Sequence, residues 1–254
     1  MSNNLLTDRF AQGEIARGAW LAVPSSISAE IVARTGVDYC CVDMQHGAVG
    51  YSDAIPMMQA VRAEGVTPLV RVSANDMAEI GRALDAGAQG VVVPLVSTPE
   101  QAAEAAAACR YPPRGVRSFG PIRASVAAGS SEIDALEQVL CAVMVETDEG
   151  LANVEAIAAT PGVGAIYVGP ADLSLALGLP PKYEHDDPTH ESSIQRIRKA
   201  CESAGIVAGI HCADGDMARR RLAQGFRMVT VANDAKSIGA AVAAELAAAV
   251  ASSD

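Results

Sequence analysis

Two carboxylates, Glu146 and Asp172, each follow a strand-like apolar segment. Glu146 ends the run at 139–147, and Asp172 lies in GPADLS, beside the run at 164–169. Such a pair suits the general acid and base of a glycosidase, or a divalent cation that completes its coordination with water and substrate. Sugar-binding clefts are usually lined by aromatic side chains, and the chain has one Trp and three Phe. We therefore favour Mg²⁺ or Mn²⁺ as the ion held by the two carboxylates.

The segment GPADLS also predicts an anion site. Gly169 and Ala171 precede or open a short predicted helix, whose first N–H groups are free to bind a small anion such as a carboxylate. A cation beside these N–H groups would bind a 2-oxo acid through its carboxylate and its 2-oxo oxygen. Taken singly, Asp172 would also suit a helix N-cap, and Glu146 a salt bridge.

Arg71 and His46 follow two other strand-like runs and suit the same chemistry. Arg71 ends PLVR and would stabilise the enolate oxyanion of a 2-oxo acid, the alternative being an ion pair with Asp43 or Glu146. His46, in VDMQHGAVG, carries protons near neutral pH, the alternative being a structural histidine. Asp43 is expected to orient the site or its waters.

Asp85 and three further histidines are weaker candidates. Asp85, in ALDAGAQ, would orient His46 and raise its basicity, although a polar residue at a helix end is the more common explanation. His211 ends a strand-like run and would contact substrate, or lie in the core. His185 and His190, in HDDPTH, are expected in a solvated loop rather than in a metal site.

The elements that must position these residues alternate along the chain. Eight apolar runs predict strands at 18–23, 39–44, 67–72, 90–95, 139–147, 164–169, 206–212 and 226–232. Helical patterns are predicted at 26–35, 53–64, 76–87, 98–109, 149–159, 171–178, 189–203, 214–224 and 235–251. The strands are apolar nearly throughout, which is typical of parallel strands covered on both faces. Two long connections, 111–132 and 178–191, interrupt the alternation, and loops of this length are often functional.

Eight strand–helix repeats within 254 residues predict one α/β domain over 1–254, a (β/α)8 TIM barrel. An open doubly wound sheet is the alternative, but no GxGxxG turn follows any of the predicted strands. Catalytic groups of such barrels lie at the carboxyl ends of the strands. The candidates at strand ends would therefore meet at one mouth.

Composition and charge argue against several classes of protein. Half of the residues are apolar and 19% are charged, which supports a large core and excludes a disordered chain. A net charge of −11 without a dense Lys/Arg cluster argues against nucleic-acid binding. The six cysteines show no CxxC spacing and no leader is recognisable, so a reduced, cytoplasmic protein is expected. The longest apolar stretch is interrupted by Glu245 and is too short to span a membrane.

Taken together, these motifs resemble the HpcH/HpaI aldolase family of metal-dependent pyruvate aldolases. The resemblance covers about residues 14 to 245 and rests on GAWLAVPSSISAEIVARTGVDYCCVDMQH, PLVRV, YPPRGVRSFGP and VETDEGLANVEAIAATPGVGAIYVGPADLS. It implies a barrel of the phosphoenolpyruvate/pyruvate-binding type. It also implies reversible aldol cleavage of a 4-hydroxy-2-oxo acid to pyruvate, or to hydroxypyruvate, and an aldehyde.

The resemblance also implies roles for individual residues. Glu146 and Asp172 would hold Mg²⁺, Mn²⁺ or Co²⁺, and Arg71 would steady the enolate. His46, with Asp85 behind it, would take part in proton transfer. The carboxylate of pyruvate would be held through the backbone of Gly169, Ala171 and Asp172.

A homo-oligomer follows from the same resemblance, namely a hexamer built as a trimer of dimers. The last helix, 235–251, would pack on a neighbouring subunit, although an ordinary outer helix is the alternative. The connection 111–132 follows a helix and is therefore predicted at the bottom of its own barrel. From there Arg117, Phe119 and Arg123 would reach an active site most easily in an adjacent subunit.

Three positions depart from the pattern of 4-hydroxy-2-oxoheptanedioate aldolase. Gln45 stands where that enzyme has Glu, Met144 where it has Gln, and His211 where it has an apolar residue. The aldehyde is therefore left open. An acyl-CoA lyase, a non-catalytic binding barrel and a phosphate-binding barrel are the rivals. The acyl-CoA lyase would need a basic surface for its nucleotide, and none is evident. A non-catalytic barrel would be expected to lack some of the candidate catalytic residues, which are all present. A phosphate-binding barrel would have a Gly-rich cradle after strands 7 and 8, and this chain lacks one.

Overall fold

The computed structural model describes residues 4–250, which form a closed barrel of eight parallel strands. Neighbouring strands pair in chain order, and the last strand pairs with the first to close the barrel. The strands are β1 (Ala16–Leu21), β2 (Tyr39–Asp43), β3 (Thr67–Arg71), β4 (Gly90–Val93), β5 (Leu140–Val145), β6 (Ala165–Val168), β7 (Val207–His211) and β8 (Met228–Asn233). The predicted (β/α)8 barrel is confirmed.

Helices cover the outside of the barrel and join its strands. Within the described residues they are α1 (Leu5–Ala11), α2 (Ser26–Ala33), α3 (Tyr51–Ala63), α4 (Met77–Asp85), α5 (Pro99–Ala108), α6 (Ile122–Ala128), α7 (Ile133–Leu136), α8 (Asp148–Ala152), α9 (Val154–Ala158), α10 (Pro170–Ala176), α11 (Pro188–Ala204), α12 (Gly215–Ala223) and α13 (Asp234–Val250). The helix predicted at 149–159 is divided into α8 and α9. The short helices α1, α6 and α7 were not predicted, and neither α6 nor α7 begins with a side-chain cap.

The strands are buried on both faces, because helices cover the outside and side chains fill the inside. In β2, Cys40 and Val42 pack towards the helices, whereas Tyr39 and Cys41 belong to the interior core. Small residues, mostly Ala and Val, dominate the layer between sheet and helices. The low aromatic content is thus explained, since the larger aromatic rings are needed mainly inside the barrel.

The amino-terminal end of the barrel is closed by α1. Leu6 and Phe10 belong to the same core as the interior strand residues. Asn4 caps α1, and its Nδ2 donates to the main-chain carbonyl of Gln89, at the start of β4, at 2.6 Å. This end of the molecule is therefore packed shut, which leaves the carboxyl ends of the strands for a site.

The connection 111–132 packs at the amino-terminal end of the barrel, as predicted. Arg117 forms a salt bridge with Asp85 at the end of α4, with Nη2 and Oδ1 2.7 Å apart. Arg123 donates from Nη1 to the main-chain carbonyl of Ala86 at 2.9 Å. Helices of a β/α barrel run antiparallel to the strands, so the end of α4 lies on the opposite side from the carboxyl ends of the strands.

The last helix, α13, has little to pack against within the described chain. Asp234 is its one buried residue among those described, and Ile238, Val242 and Leu246 are each more than half exposed. Because these three residues are spaced four apart, they form one apolar stripe. The final predicted position, 251, lies outside the described residues. Among the helices of residues 4–250, none has the length and apolar character needed to cross a membrane.

Thr230 joins two phenols inside the barrel, and its hydroxyl is predicted to stabilise the fold. Its Oγ1 lies 3.3 Å from the hydroxyl of Tyr39 and also contacts that of Tyr167. Thr230→Val keeps the shape but leaves both buried phenols without this partner. Each orphaned hydroxyl costs about 1–3 kcal/mol, so the free energy of unfolding should fall by about 2–6 kcal/mol in urea titrations followed by circular dichroism. Thr230→Ser keeps the hydroxyl and should cost only about 1 kcal/mol; equal losses in both variants would contradict the argument.

Candidate active site

A cavity of about 300 Å³ opens at the carboxyl ends of the strands. Its walls are formed by Trp20, Ala22, Asp43, His46, Arg71, Met144, Gly169, Pro170, Ala171, Asp172, Tyr183, His211 and Asn233. Seven of the residues predicted from the sequence therefore meet in one place, at four different strand ends: Asp43, His46, Arg71, Gly169, Ala171, Asp172 and His211. This is the position expected for the active site of a β/α barrel.

Asp43 and Arg71 form a buried two-point ion pair at the ends of β2 and β3. Arg71 Nε lies 2.8 Å from Asp43 Oδ1, and Nη2 lies 2.6 Å from Oδ2. Burial acts to raise the pKa of Asp43, but the hydrogen bonds and the charge of Arg71 outweigh it, so the pKa is lowered. The pKa of Arg71 is raised in the same way, against the effect of burial. Both groups are thus ionised, and Arg71 is an oriented cation at the cavity wall.

The same carboxylate shapes the bend that carries His46. Asp43 Oδ1 accepts hydrogen bonds from the main-chain N–H of Gln45 at 3.1 Å and of His46 at 3.2 Å. The bend places His46 at the exposed rim of the cavity. Gln45 and His46 are therefore both held by Asp43. The same carboxylate also orients Arg71.

Glu146 lies beneath the cavity, where its two oxygens have different surroundings. Oε1 accepts a hydrogen bond from the main-chain N–H of Leu95 at 2.9 Å. Leu95 has a φ of 56°, a left-handed conformation that is unfavourable for a branched side chain and typical of functional sites. Oε2 is buried and has no hydrogen-bond partner within the described residues. Burial raises the pKa of Glu146 to about 7, the charge of Asp172 adds to this, and the Leu95 hydrogen bond opposes it.

Gly169 lies against the carboxylate of Glu146 and is the N-cap residue of α10. A Cβ atom at this position would overlap Oε2 of Glu146, so the close approach requires glycine. Gly169 also provides no side-chain cap for α10, which leaves the first N–H groups of that helix for a ligand. Asp172, in the first turn of α10, lines the cavity beside them.

The two carboxylates suit a divalent cation. A buried carboxylate oxygen without a donor is costly unless a proton or a cation neutralises it, and the neighbouring Asp172 adds a second negative charge. Residues 4–250 contain no group of three or more His, Cys, Asp or Glu side chains arranged to hold a metal. A cation here would therefore have two protein carboxylates and would take its other ligands from water and substrate, as Mg²⁺ commonly does.

His211 forms another part of the wall, between two aromatic rings. Its ring centre lies 5.0 Å from that of Trp20, edge to face, and 5.7 Å from that of Tyr183, stacked. Burial lowers the pKa of His211 to about 4, and the positive charges of Arg71 and Lys236 act in the same direction. At neutral pH the imidazole is therefore uncharged, which suits a contact with an uncharged or anionic substrate group.

Asp85 and His190 lie elsewhere than the sequence suggested. Asp85 is outside the cavity, at the opposite end of the barrel, where it pairs with Arg117. It therefore does not orient His46 within one chain. The expectation that His190 lies in a solvated loop was wrong, because His190 is buried in α11 and its Nε2 lies 3.1 Å from Ser174 Oγ.

Four residues of this region were not predicted. Leu95 acts through its main-chain N–H, so its side-chain type gives no indication of its role. Trp20 resembles any other apolar strand residue in the sequence. Tyr183 and Lys236 lie in a polar loop and at a helix start, and only the fold brings them next to His211. Of these, only Tyr183 could have been suggested, because it belongs to the long connection at 178–191.

The sequence profile of the HpcH/HpaI aldolase/citrate lyase family matches residues 17–241. The chain belongs to this family. A hydroxypyruvate/pyruvate aldolase of Rhizorhabdus wittichii is 39% identical, over 91% of this chain and 92% of the relative. A 2-dehydro-3,6-dideoxy-6-sulfogluconate aldolase of Pseudomonas putida is 36% identical, over 85% and 86% of the two chains. The crystal structure of a family member from Burkholderia cenocepacia J2315 superposes with a TM-score of 0.91 at 34% identity and covers 98% of this chain and 100% of that one.

Membership of the HpcH/HpaI family defines the class of chemistry. Similar proteins over most of the chain are named as aldolases, so the protein is an enzyme, a carbon–carbon lyase of the aldolase type. The non-catalytic barrel considered from the sequence is thereby excluded. The cavity at the strand ends, with its carboxylates, its oriented arginine and its rim histidine, is the candidate active site of this lyase.

Replacing Arg71 should cost the enzyme most of its turnover. Arg71→Ala removes the cation from the cavity wall. The sequence predicts that this cation stabilises an oxyanion, and loss of such a group lowers kcat by about 10²–10³. Steady-state kinetics of carbon–carbon bond cleavage would measure this. Because the variant leaves Asp43 buried and unpaired, at a cost of about 3–5 kcal/mol, the folded fraction must be determined in parallel. Arg71→Lys keeps the charge without the two-point contact and should retain intermediate activity; turnover of Arg71→Ala within threefold of wild type would disprove the assignment.

Proposed function

We propose that this protein is a divalent-metal-dependent aldolase that reversibly cleaves 4-hydroxy-2-oxo acids to pyruvate, or hydroxypyruvate, and an aldehyde. The observation that carries the proposal is the buried, unpartnered Oε2 of Glu146 beside Asp172, at a cavity that also presents Arg71 and free N–H groups. The names of the relatives, which include hydroxypyruvate/pyruvate aldolase, support the choice of substrate class. Mg²⁺, Mn²⁺ or Co²⁺ would suit the site.

Glu146 and Asp172 would hold the metal, which when bound supplies a Lewis acid for the 2-oxo group. The first N–H groups of α10, at Ala171 and Asp172, would bind the carboxylate of the 2-oxo acid. Gly169 keeps the space above Glu146 open. The 2-oxo acid would therefore lie on the side of the cavity formed by β5, β6 and α10.

His46 would then transfer the proton, and Arg71 would stabilise the negative charge of the enolate. In the cleavage direction the 4-hydroxyl loses its proton to His46, the C3–C4 bond breaks, and its electron pair becomes the enolate of pyruvate. Arg71 stabilises the enolate oxygen, and protonation at C3 completes pyruvate. The aldehyde leaves from the opposite side of the cavity, near Trp20 and His211.

An assembly of several chains is part of this proposal. The exposed apolar stripe of α13 would be buried against a neighbouring copy, in a hexamer built as a trimer of dimers. Asp85 lies too far from its own His46 to act on it, so a catalytic role for Asp85 requires the cavity of an adjacent chain. The exposed Phe119 and the half-buried Arg123 are available for such a contact, whereas Arg117 is buried against Asp85.

Metal dependence can be tested with two matched variants. Treatment with a chelator should abolish pyruvate release from 4-hydroxy-2-oxo acids, and Mg²⁺, Mn²⁺ or Co²⁺ should restore it. Addition of Mn²⁺ should raise the melting temperature of the wild type, because a ligand that binds only the folded state stabilises it. Glu146→Gln should lose both effects. Glu149→Gln, an exposed carboxylate three residues later, should retain them; activity that survives chelation would refute the mechanism.

The proposed assembly depends on the apolar stripe of α13. Val242→Glu places a charge in the centre of that stripe and should lower the mass of the particle in solution, measured by light scattering. Ala244→Glu adds the same charge about half a helical turn away and should leave the mass unchanged. A wild-type protein that is monomeric at micromolar concentration would contradict the proposal directly.

A further inference from the structure

Four consecutive residues, Lys182 to His185, tie the connection after α10 to its surroundings; we name them the strap. The main-chain carbonyl of Lys182 accepts a hydrogen bond from Ser174 Oγ at 2.9 Å. Tyr183 stacks on His211, and Glu184 accepts from Arg220 at 2.6 Å. His185 Nε2 lies 3.0 Å from the same Ser174 Oγ. Since each residue has its own contact, the strap is a built element of the mouth rather than a free loop.

Ser174 is the point at which the strap is fixed to α10. Its buried hydroxyl lies 3.0 and 3.1 Å from Nε2 of His185 and His190, and within hydrogen-bond distance of the main-chain carbonyls of Pro170 and Lys182. A serine hydroxyl has one proton and can accept two hydrogen bonds, so both imidazoles can donate while Ser174 donates to Lys182. The helix that carries Asp172 is thereby connected to the strap that carries Tyr183.

Tyr183 lines the cavity, and Lys236 contacts Tyr183 without being one of the wall residues. Lys236 Nζ donates to the hydroxyl of Tyr183 at 2.9 Å and lies 4.8 Å from the centre of its ring. Tyr183 in turn stacks on the neutral His211, which contacts Trp20. This side of the cavity, lined by residues of β1, β7, β8 and the strap, lies across the mouth from Glu146, which follows β5.

The charge of Lys236 is not committed to a carboxylate within residues 4–250. Its contacts in this part of the chain are the hydroxyl and the ring of Tyr183. The acids around it are engaged elsewhere, since Glu184 pairs with Arg220 and Asp214 caps α12. Asp234 accepts from the main-chain N–H of Ala22 at 2.8 Å. An ammonium group with an uncommitted charge therefore lies against Tyr183, outside the residues that form the cavity wall.

We propose that Tyr183 and Lys236 form the end of the cavity that binds the aldehyde, and that they select aldehydes carrying an anionic group. The inference rests on the proposed aldol reaction, because the 2-oxo acid would occupy the opposite side, near Glu146 and Asp172. Lys236 would bind a carboxylate, sulfonate or phosphate at the far end of the aldehyde. Tyr183 and His211 would form the wall along its carbon chain.

The test compares two aldehydes of equal chain length in the synthetic direction with pyruvate and Mg²⁺. Succinic semialdehyde ends in a carboxylate, and butanal ends in a methyl group. The wild type should favour succinic semialdehyde in kcat/KM, and Lys236→Met should lower that preference by roughly tenfold, the value of one charged hydrogen bond. Lys236→Arg should keep most of the preference, and raised salt should weaken it.

Lys199→Met makes the same chemical change on α11, outside the cavity, and should leave the preference between the two aldehydes unaltered. Tyr183→Ala should raise the KM of both aldehydes, because it removes the wall itself. Exchange of the methyl protons of pyruvate in D₂O, followed by NMR without aldehyde, tests the proposed enolate chemistry separately. If exchange occurs but Lys236→Met keeps the wild-type preference, the inference on the aldehyde end is wrong; if exchange is absent, the proposed function fails instead.

Discussion

Asp43 and Arg71 stand at paired positions where β2 and β3 end, and their two-point contact is buried among the strand ends. Burying two charges carries a desolvation cost of several kcal/mol for each ion, which only good geometry and further hydrogen bonds offset. Here the geometry serves three purposes at once. It directs Arg71 at the cavity, it lets Asp43 Oδ1 accept two N–H groups of the following bend in addition to Arg71 Nε, and it thereby places His46 at the rim.

Glu146 is also a buried carboxylate, but unlike Asp43 it is not paired with an arginine. No cationic side chain forms a salt bridge with it within the described residues, and its carboxylate is supported on one side by the strained backbone of Leu95. The other oxygen, Oε2, lies against Gly169 and receives no hydrogen bond within the described residues, so the desolvation cost of burying it is not offset. Such a cost persists in a folded protein where a ligand offsets it. Asp43 is therefore neutralised by the protein, whereas Glu146 remains available for the cation that we propose.

The sequence predicted the strands and the strand-end residues well, because both depend on local pattern and on one topological rule. Apolar runs indicate the strands, and the closed barrel brings their polar ends together. It could not place Asp85, whose partner Arg117 is 32 positions away in a segment with weak helical pattern. Leu95 could not be predicted, because it contacts Glu146 through its main-chain N–H and its side-chain type gives no indication of that role. His190 was misjudged because its polar neighbours in the sequence, HDDPTH, suggest solvent, whereas its contacts come from α10.

The two sides of the cavity are built from different kinds of structure. The side that would bind the 2-oxo acid comes from strand ends and the first turn of α10, which the barrel holds rigidly. The side that faces the aldehyde depends on the strap and on the start of α13, which vary more readily in a barrel family. Relatives with similar identity to this chain are named for different substrates, as this division would produce. Lys236 lies two residues before the exposed stripe of α13, so packing of that helix against a neighbour would also position the charge that we propose binds the aldehyde.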